Sequence, residues 1–237
     1  MILPGPTDAI HKAWMYRVLS AICDDPFLVK VLRFKGGTYA AMRGFIERFS
    51  LDLDFDLIEP DQLKKTKQHL EKLFKKLGLT TKDARKKVPQ YFLGYPNKPN
   101  QRNTLKLDAT FPAPKNNDYE AVRLQEIDRI IYGQTLPTLF ANKLVAPLDR
   151  FERHGSIAGR DFFDLHVFFI KGYSYKPEIT EERTGKKIDE FIPFLKNFIQ
   201  EHLTQTVIDQ DLNPLLDSKA FHRVRKVLKQ ELLMFLG

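Results

Sequence analysis

FKGGTYAAMRGFIERFSLDLDFDL, residues 34–57, joins a glycine pair, a helical stretch and an alternating strand. In its last eight residues, apolar side chains alternate with three aspartates. Alternation with a period of two is typical of a half-buried strand, so one face is expected to be apolar and the other acidic. Asp52 and Asp54 then project from the same face, and Asp56 is expected to be the solvated member of the series.

The two aspartates and the glycine pair together favour phosphate chemistry. Neighbouring carboxylates repel each other unless a cation binds them, and Mg²⁺ suits oxygen ligands while keeping coordination sites for phosphate. The turn at Gly36 and Gly37 enters a helix, where backbone N–H groups can approach a triphosphate. Each feature alone is also explained by an ordinary turn or an exposed strand edge. Their combination indicates a two-metal phosphoryl or nucleotidyl transfer site.

Outward from this stretch, the pattern predicts an α/β front half and a helical back half, which meet near residue 135. The predicted domains are residues 1–135 and residues 136–237. The predicted strands are 27–34, 50–57, two short ones near 90–95 and 103–110, and one strand with a turn over 120–133. The predicted helices are 7–22, 38–49, a basic one from about 61 to 77, and 137–154, 159–172, 186–203 and 218–235.

Composition excludes several classes of protein. The chain has 237 residues with 43% hydrophobic residues, 19 of them phenylalanine, so it can build a core without disulfides. A single cysteine, Cys23, excludes a disulfide framework and a cysteine-based zinc module. The six histidines are scattered, without a short-spaced metal pair. We find no signal sequence and no transmembrane run, and therefore expect a soluble, cytoplasmic protein with no membrane partner.

Positive charge concentrates in one segment. The net charge is +8, from 38 Lys+Arg and 30 Asp+Glu, and residues 61–89 hold ten basic and three acidic residues. Such a cluster attracts polyanions, although an amphipathic helix with a solvated face explains it equally well. The candidate nucleic-acid-binding residues are Lys64, Lys65, Lys67, Lys72, Lys75 and Lys76.

Four motifs carry a family resemblance. KGGTYAAMRGFIERFSLDLDF resembles the polymerase β-type nucleotidyltransferase superfamily, which pairs a Gly-Gly or Gly-Ser turn with a following Asp-x-Asp. FKGGT, RFSLDLDF, LFANKLVAPLDR and GRDFFDL, in this order, resemble the AbiEii/AbiGii-type toxin nucleotidyltransferases over about residues 15–170. These are toxins of type IV toxin–antitoxin and abortive-infection systems. The resemblance implies an α/β (α+β) nucleotidyltransferase core with a mixed sheet, followed by a mostly helical C-terminal half.

The resemblance also implies roles for residues of the front half. Asp52 and Asp54 would hold the metals, with Asp108 in LKLDAT as the third carboxylate that binds metal and helps activate the acceptor hydroxyl. Asp108 is chosen because it lies on the polar face of its predicted strand. The turn that faces the nucleotide phosphates would consist of Gly36, Gly37 and Thr38.

Further roles fall around these motifs. Lys143 matches the family's helix lysine and would bind the triphosphate as a point charge. In GRDFFDL either Asp161 or Asp164 faces the site; Asp161 is favoured for catalysis and Asp164 is kept as a nucleotide-binding candidate. Ser50 either contacts phosphate, is a modification site or is an ordinary strand serine. Arg48 is expected to be a structural ion-pair partner.

The function that follows is Mg²⁺-dependent transfer of a nucleotide from a nucleoside triphosphate (NTP) to an acceptor hydroxyl. Two Mg²⁺ ions are expected. The resemblance suggests the tRNA 3′ end as acceptor and a cognate antitoxin as protein partner. The alternatives are transfer to a protein hydroxyl or a small molecule, or a catalytically idle module that binds RNA or a partner protein.

Overall fold

The computed structural model describes residues 5–237 and divides the chain into two compact units. The first unit consists of residues up to Gly44, Phe49–Ala113 and Tyr119–Gln134. The second consists of Phe45–Arg48, Pro114–Asp118 and Thr135–Gly237. The last division falls beside residue 135, where the sequence pattern changes. Residues 1–4, the start of the domain predicted over 1–135, lie outside the described part.

The first unit is built on a seven-stranded mixed sheet of order β3-β4-β5-β2-β1-β7-β6. The β2–β5 and β1–β7 pairs are parallel, and the other neighbours are antiparallel. The strands are β1 Leu32–Lys35, β2 Asp52–Leu57, β3 Thr80–Ala84, β4 Gln90–Gly94, β5 Thr104–Thr110, β6 Tyr119–Leu124 and β7 Arg129–Gln134. Its helices are α1 Ala9–Asp24, α2 Leu28–Val31, α3 Gly36–Met42 and α4 Leu63–Lys76, with 3-10 turns at Pro6–Asp8 and Pro60–Gln62.

Strand β2 lies in the middle of this sheet and follows the alternation of its sequence. Leu53 and Phe55 are fully buried, whereas Asp52 and Asp54 on the opposite face are partly exposed. The Phe55 ring stacks on Phe34 of β1, with ring centroids 5.2 Å apart. Burial of such apolar side chains is the main favourable contribution to stability, and it fixes the register, because a one-residue slip would bury the aspartates.

The second unit is helical. Its helices are α5 Leu136–His154, α6 Gly159–Ile170, α7 Pro177–Thr184, α8 Ile188–His202, α9 Gln205–Leu212 and α10 Ser218–Phe235. Helix α5 ends at His154 and is followed by Gly155, whose φ of 62° is the left-handed conformation that glycine adopts at helix ends. In its core the ring of Phe140 contacts that of Phe168 edge-on, at 5.1 Å. The predicted fold class, a mixed sheet followed by a helical half, is confirmed. Within residues 5–237, none of the helices combines the length and apolar character needed to cross a bilayer.

Some local predictions are wrong. Residues 27–34 were expected to form one strand, but Leu28–Val31 is a helical turn and the strand begins at Leu32. Asp25 explains this, because its carboxylate accepts hydrogen bonds from the backbone N–H of Phe27 and Leu28 and so nucleates the turn. The helix predicted over 38–49 already ends at Met42. The sequence pattern also missed strand β3 and helices α7 and α9.

Candidate active site

The backbone of the Asp-x-Asp strand is held by side chains from two helices. Thr38 of α3 donates its hydroxyl to the carbonyl oxygen of Asp52, at 2.5 Å. Nε2 of His11, in α1, lies 2.8 Å from the carbonyl oxygen of Leu51, the residue just before β2. Both side chains are buried. These contacts fix the start of β2, and Thr38 is therefore occupied with the strand rather than directed only at a ligand.

The third carboxylate joins the first two through the sheet register. Asp108 of β5 pairs with Asp54 of β2, and residues in register on neighbouring strands share a face. The row continues on both sides, to Gln90 of β4 and to Lys35 of β1. Gln90 donates its side-chain N–H to Asp108 Oδ2 at 2.6 Å. Four adjacent strands therefore place Gln90, Asp108, Asp54 and Lys35 in one polar row, as expected of Asp108 from its alternation.

A lysine lies among these carboxylates. Lys106, which pairs with Asp52 in the register, has its Nζ 3.0 Å from Asp108 Oδ2. Burial and then the charge of Asp52 raise the pKa of Asp54 to about 6, and Lys106 and Lys35 oppose this rise. Although burial disfavours its charge, Asp108 and Asp54 hold the pKa of Lys106 above its ordinary value. The carboxylates are thus close enough to affect each other's ionisation, and Lys106 neutralises part of their charge.

Gly36 is required at the edge of this row for two reasons. Its φ is +79°, in the left-handed region that residues with a side chain rarely adopt. A Cβ added at this position would also lie 2.4 Å from Asp54 Oδ2. The turn therefore brings backbone into direct contact with the carboxylate. No side chain in the described part of the chain caps the first turn of α3, which begins here.

Asp56 corrects the sequence prediction, which made it a solvated residue. It is fully buried, and its carboxylate accepts hydrogen bonds from side chains of three other strands. Lys35 Nζ lies 2.6 Å from Oδ1, while Tyr119 and Gln134 donate to Oδ2 at 3.0 and 2.7 Å. The pattern of the strand could not reveal this, because the donors come from β1, β6 and β7. Asp56 therefore links β2 to that side of the sheet.

The donor set of this row fits a divalent cation. Across residues 5–237 no group of three or more His, Cys, Asp or Glu side chains is already arranged to hold a metal ion. However, Asp52, Asp54 and Asp108 offer only oxygen ligands, and a cation would offset the burial and the charge of Asp52 that raise the pKa of Asp54. Lys106 and Gln90 at present occupy Asp108 Oδ2. The residues thus suit Mg²⁺, provided that Lys106 moves away from the carboxylates.

The second unit contains a buried ionic cluster at two of the other predicted positions. Arg48 donates to both carboxylate oxygens of Asp164, at 2.6 and 2.7 Å, and Lys143 Nζ lies 2.6 Å from Oδ2. Asp164 is fully buried, and although burial acts to raise its pKa, Arg48 and Lys143 hold it below its ordinary value. Arg48 is thereby confirmed as a structural ion-pair partner, and one carboxylate is in contact with two cations.

Asp161, the favoured catalytic candidate of α6, is also buried. It accepts a hydrogen bond from Arg150 Nε at 2.8 Å. Ser50 is buried in the first unit. The roles given to Lys143, Asp161, Asp164 and Ser50 stay predictions.

The candidate nucleic-acid-binding lysines lie on α4. Five of the six are exposed; Lys67 is half-buried and donates to the carbonyl oxygens of Arg85 and Lys86. The opposite side of the helix buries Leu70 and Phe74. The helix is thus strongly amphipathic, as both sequence interpretations require.

Sequence reasoning missed three side chains that support the carboxylates. Lys106 could have been recognised, because it shares the polar face with Asp108 two residues later. Gln90 and His11 gave no such signal, since they lie 18 and 40 residues from the groups that they contact. Only the sheet register and helix packing bring them there.

Solved structures share this fold. A protein of H. pylori proposed to be a nucleotidyltransferase has a TM-score of 0.59 and 21% identity, over 98% of this chain and 97% of its own. JHP933 from Helicobacter pylori has a TM-score of 0.56 and 21% sequence identity, over 99% of this chain and 95% of its own. MenT4, a nucleotidyltransferase toxin of Mycobacterium tuberculosis H37Rv, has a TM-score of 0.56 and 13% sequence identity, over 97% of this chain and 84% of its own. The mixed sheet with its acidic strand is therefore a nucleotidyltransferase fold.

The family follows from the sequence comparison. Residues 17–227 match the family model described as nucleotidyl transferase AbiEii toxin, type IV TA system, so the chain belongs to this family. A search of curated proteins gave no match. The chain is a nucleotidyltransferase, and the predicted toxin–antitoxin family is confirmed. Membership implies an NTP substrate and an antitoxin partner, and nucleotidyltransferases generally use a divalent metal.

Proposed function

We propose that this toxin is a Mg²⁺-dependent enzyme that transfers a nucleotide from an NTP to the 3′-terminal hydroxyl of tRNA. The observation that carries the proposal is the row of carboxylates at the centre of the sheet. Asp52, Asp54 and Asp108 share one face, and the pKa of Asp54 is raised to about 6 by burial and by Asp52. Lys106 and Lys35 offset only part of the cost of keeping these carboxylates charged and close together, which favours a cation-dependent activity over an idle module.

Asp52, Asp54 and Asp108 are the residues that would hold Mg²⁺. When bound, the metal neutralises charge on the phosphates and on the leaving group, and lowers the pKa of the acceptor hydroxyl. Lys106 is the cation already present among these side chains, 3.0 Å from Asp108. We expect its ammonium to turn toward phosphate oxygens once the carboxylates have another partner.

The chain's own groups then perform the remaining tasks. Asp108 accepts the proton of the acceptor hydroxyl, and the hydrogen bond from Gln90 fixes which oxygen is presented. The acceptor oxygen forms a bond to the α-phosphorus while the bond to the bridging oxygen breaks, which releases pyrophosphate. Backbone N–H groups of Gly36 and Gly37 bind phosphate oxygens. They can do so beside the Asp54 carboxylate because Gly36 has no side chain to hold the backbone away from it.

From the second unit, Lys143 is proposed to bind the triphosphate and Asp161 to take part in catalysis, both from the family resemblance alone. Lys143→Met is expected to raise the KM for the NTP more than it lowers kcat, because a phosphate contact is lost. Asp161→Asn is expected to lower kcat. An unchanged KM in Lys143→Met would mean that Lys143 has only a structural role, in its ion pair with Asp164.

The test is a labelling assay. The purified protein is incubated with Mg²⁺, bulk tRNA and each α-labelled NTP in turn, beside Asp52→Asn and Asp54→Asn. Asp128→Asn is the matched control, because Asp128 lies in an exposed ion pair with Arg123 at the β6–β7 turn. We expect label in tRNA with the wild type and the control only. Label on protein instead of tRNA would show that the acceptor is a protein hydroxyl. Labelling that neither Asp52→Asn nor Asp54→Asn reduces would refute the assignment of the site to these carboxylates.

The toxin role is tested separately in cells. Induction of the wild-type protein is expected to arrest translation and growth, whereas Asp54→Asn at the same protein level should not. Growth arrest by Asp54→Asn would separate toxicity from nucleotidyl transfer.

A further inference from the structure

An aromatic side chain stands on the otherwise polar face of the sheet that carries the carboxylates. Phe92 of β4 follows Gln90 by two residues, so both point to this face, whereas Tyr91 between them contacts Phe74 of α4 on the other face. Among the described residues on the carboxylate face of β2, β4 and β5, Phe92 is the only one with a large apolar side chain. It is partly exposed. Packing of the core on the opposite face therefore does not explain a phenylalanine at this position.

The sheet register places Phe92 close to Asp108. Phe92 pairs with Lys106 of β5, and Lys106 pairs with Asp52 of β2, so these three form a second row beside the row of Gln90 and Asp108. Residues that are diagonal to each other on neighbouring antiparallel strands have Cα atoms about 7 to 8 Å apart, and this is the relation of Phe92 to Asp108. The sugar of a single nucleotide can bridge this distance, with its 3′ hydroxyl at Asp108 and its base over the ring of Phe92.

The order of the strands puts Phe92 on the acceptor side of the candidate site. Along the sheet, β5 and β4 lie on one side of β2, whereas β1 and the turn at Gly36 that follows it lie on the other side. The backbone at Gly36 is the proposed binding place of the phosphates, and in phosphoryl transfer the attacking and leaving oxygens are roughly in line. The acceptor is therefore expected to approach from the side of β5 and β4, where Asp108 and Phe92 lie.

A cation lies beyond Phe92 on the same face. Gly94 follows Phe92 by two residues, and a Cβ added there would lie 2.7 Å from Cε of Lys82, so the stem of this lysine crosses β4 at that point. The Lys82 ammonium donates to the side chains of Asn103 and Thr104, at 2.7 and 2.6 Å. Lys82 is exposed. Phe92 therefore lies between this ammonium group and the carboxylates.

We propose that Phe92 stacks on the terminal base of an RNA acceptor and so brings its 3′ hydroxyl to Asp108, while Lys82 binds a phosphate further back in the strand. This inference rests on the proposed function for the nature of the acceptor and for the role of Asp108. Asp83 of β3 pairs with Phe92 on the outer side, and its carboxylate disfavours phosphates there. Phe92 is then a binding residue for the acceptor, and it contributes the placement of the attacking oxygen.

The chemistry of this surface favours a nucleobase over a protein segment. Proteins that bind single-stranded RNA stack its bases on aromatic side chains and bind its phosphates with neighbouring cations. A protein segment would instead meet lysine and aspartate around a single ring, whereas the centres of protein interfaces are depleted of both. Because every base has a π face, stacking on Phe92 is expected to accept all four terminal bases with similar affinity.

The experiment combines removal of the ring with removal of the base. A 5′-fluorescein-labelled single-stranded RNA of about eight nucleotides is compared with the same RNA without its 3′-terminal base and with one that lacks the fifth base from the 3′ end. All three keep their terminal hydroxyl groups, and binding is followed by anisotropy with Mg²⁺ and without NTP, so that no transfer occurs. The variants are Phe92→Leu, Phe92→Tyr, which keeps the ring, and Lys82→Gln. Tyr132→Leu is the matched control, because Tyr132 is an exposed ring of the same sheet, on β7 beyond β1.

We expect loss of the terminal base to weaken binding about tenfold in the wild type, in Phe92→Tyr and in Tyr132→Leu, and loss of the fifth base to change it less than about twofold. Phe92→Leu should bind the intact RNA about tenfold more weakly than the wild type does, and removal of the terminal base should then have no further effect. Lys82→Gln should weaken all three RNAs and lower the salt slope by about 0.7.

Three outcomes would overturn the proposal. If Phe92→Leu weakens the intact RNA and the RNA without its terminal base equally, the ring supports the fold rather than the base. If the wild type binds both of these RNAs alike, no base is stacked at the acceptor end. If Phe92→Leu raises the KM for the NTP while RNA binding is unchanged, the ring belongs to the donor nucleotide.

The labelling assay separates this proposal from the proposed function. If tRNA is labelled but Phe92→Leu binds and labels it as the wild type does, the role of Phe92 is wrong and the function stands. If no RNA is labelled while the effect of the terminal base is present in the wild type and absent from Phe92→Leu, the base-binding role stands and the assigned reaction is wrong.

Discussion

Replacement of Asp54 by asparagine should make the protein more stable at neutral pH and inactive at the same time. Asparagine has the shape of the protonated carboxyl group, so it keeps the packing against Gly36 and removes only the charge. Burial and the charge of Asp52 raise the pKa of Asp54 from 3.8 to about 6. The folded protein therefore binds this proton more tightly than the unfolded chain does, and ionisation of Asp54 destabilises the fold.

The sign and size follow from that shift. Well below the unfolded pKa of 3.8 the group is protonated in both states and contributes no penalty; above about pH 6 nearly the full penalty is present. A shift of about two pKa units corresponds to about 3 kcal/mol. Because Asp54 keeps part of its surface in water, and Lys106 and Lys35 lie nearby, we expect asparagine to raise the free energy of unfolding by about 1 to 3 kcal/mol at about pH 7.5. At about pH 4 the difference should fall to a small fraction of this value.

The assay is urea unfolding at both pH values in EDTA, followed by circular dichroism. Other titrating groups are common to wild type and variant, so the difference between them isolates Asp54. Asp128→Asn, in an ion pair that is exposed on both sides, should change stability little at either pH. A gain that is the same at both pH values, or a wild type that is more stable at neutral pH, would refute the assigned repulsion. Added Mg²⁺ should stabilise the wild type more than Asp54→Asn.

Three further changes test the surroundings of this residue. Gly36→Ala should cost at least about 1 kcal/mol in urea unfolding and abolish transfer, because alanine disfavours a φ of +79° and its Cβ would meet Asp54 Oδ2; normal transfer would exclude the close approach. Lys106→Met should tighten Mn²⁺ binding several-fold in calorimetry, since a competing cation is removed; weaker binding would make Lys106 a support of the metal ligands. Asp164→Asn should cost about 3 to 5 kcal/mol, because Arg48 and Lys143 would remain buried without their carboxylate; a neutral effect would contradict the buried cluster.

Asp164 also has a pH dependence of the opposite sign to Asp54. Its pKa is held below the ordinary value, so its contribution is present above that ordinary value and is lost as pH falls through the folded pKa. The carboxylate of the candidate site destabilises the fold when it is charged, whereas the carboxylate of the ionic cluster stabilises it. The opposite signs reflect the surroundings, because partly buried Asp54 lies beside another carboxylate whereas Asp164 contacts two cations.

The sequence predicts the sheet's central strand well because local pattern and burial agree there. In 50–57 every second residue is apolar, and a strand buried on one face needs this alternation. The basic helix is equally clear, since Leu70 and Phe74 mark its buried side and Gly78, with φ +72°, follows its end. Strand β3 could not be found in this way: all of its residues are exposed at the edge of the sheet, so burial imposes no pattern on them.

Prediction of the candidate site from the sequence is limited in the same way, because local pattern does not show which strands become neighbours. The Asp-x-Asp pair and its same-strand geometry were readable from period two alone, and Asp108 from its polar face. Which side chains of β2 and β5 lie next to each other, however, depends on the register, which pairs Asp54 with Asp108 and Asp52 with Lys106. Asp56 illustrates the consequence, since an identical local pattern gives a partly exposed Asp54 and a buried Asp56. Neighbouring strands, rather than the strand's own sequence, decide which aspartate is free to bind a ligand and which is structural.

The order of elements takes the chain from the acidic strand to the opposite face of the sheet and back. Strand β2 leads through the turn at Pro60–Gln62 into α4, and α4 leads through β3 back to the connection that ends at Gln90. The chain thus leaves the carboxylates, forms its most cationic helix on the apolar face, where Phe74 contacts Tyr91, and returns to Gln90 with Lys86 and Lys87 shortly before it. Because Gln90 and Tyr91 are neighbours in β4 and point to opposite faces, α4 lies across the sheet from Asp108, so its lysines influence the candidate site through the field of their charge rather than through contact.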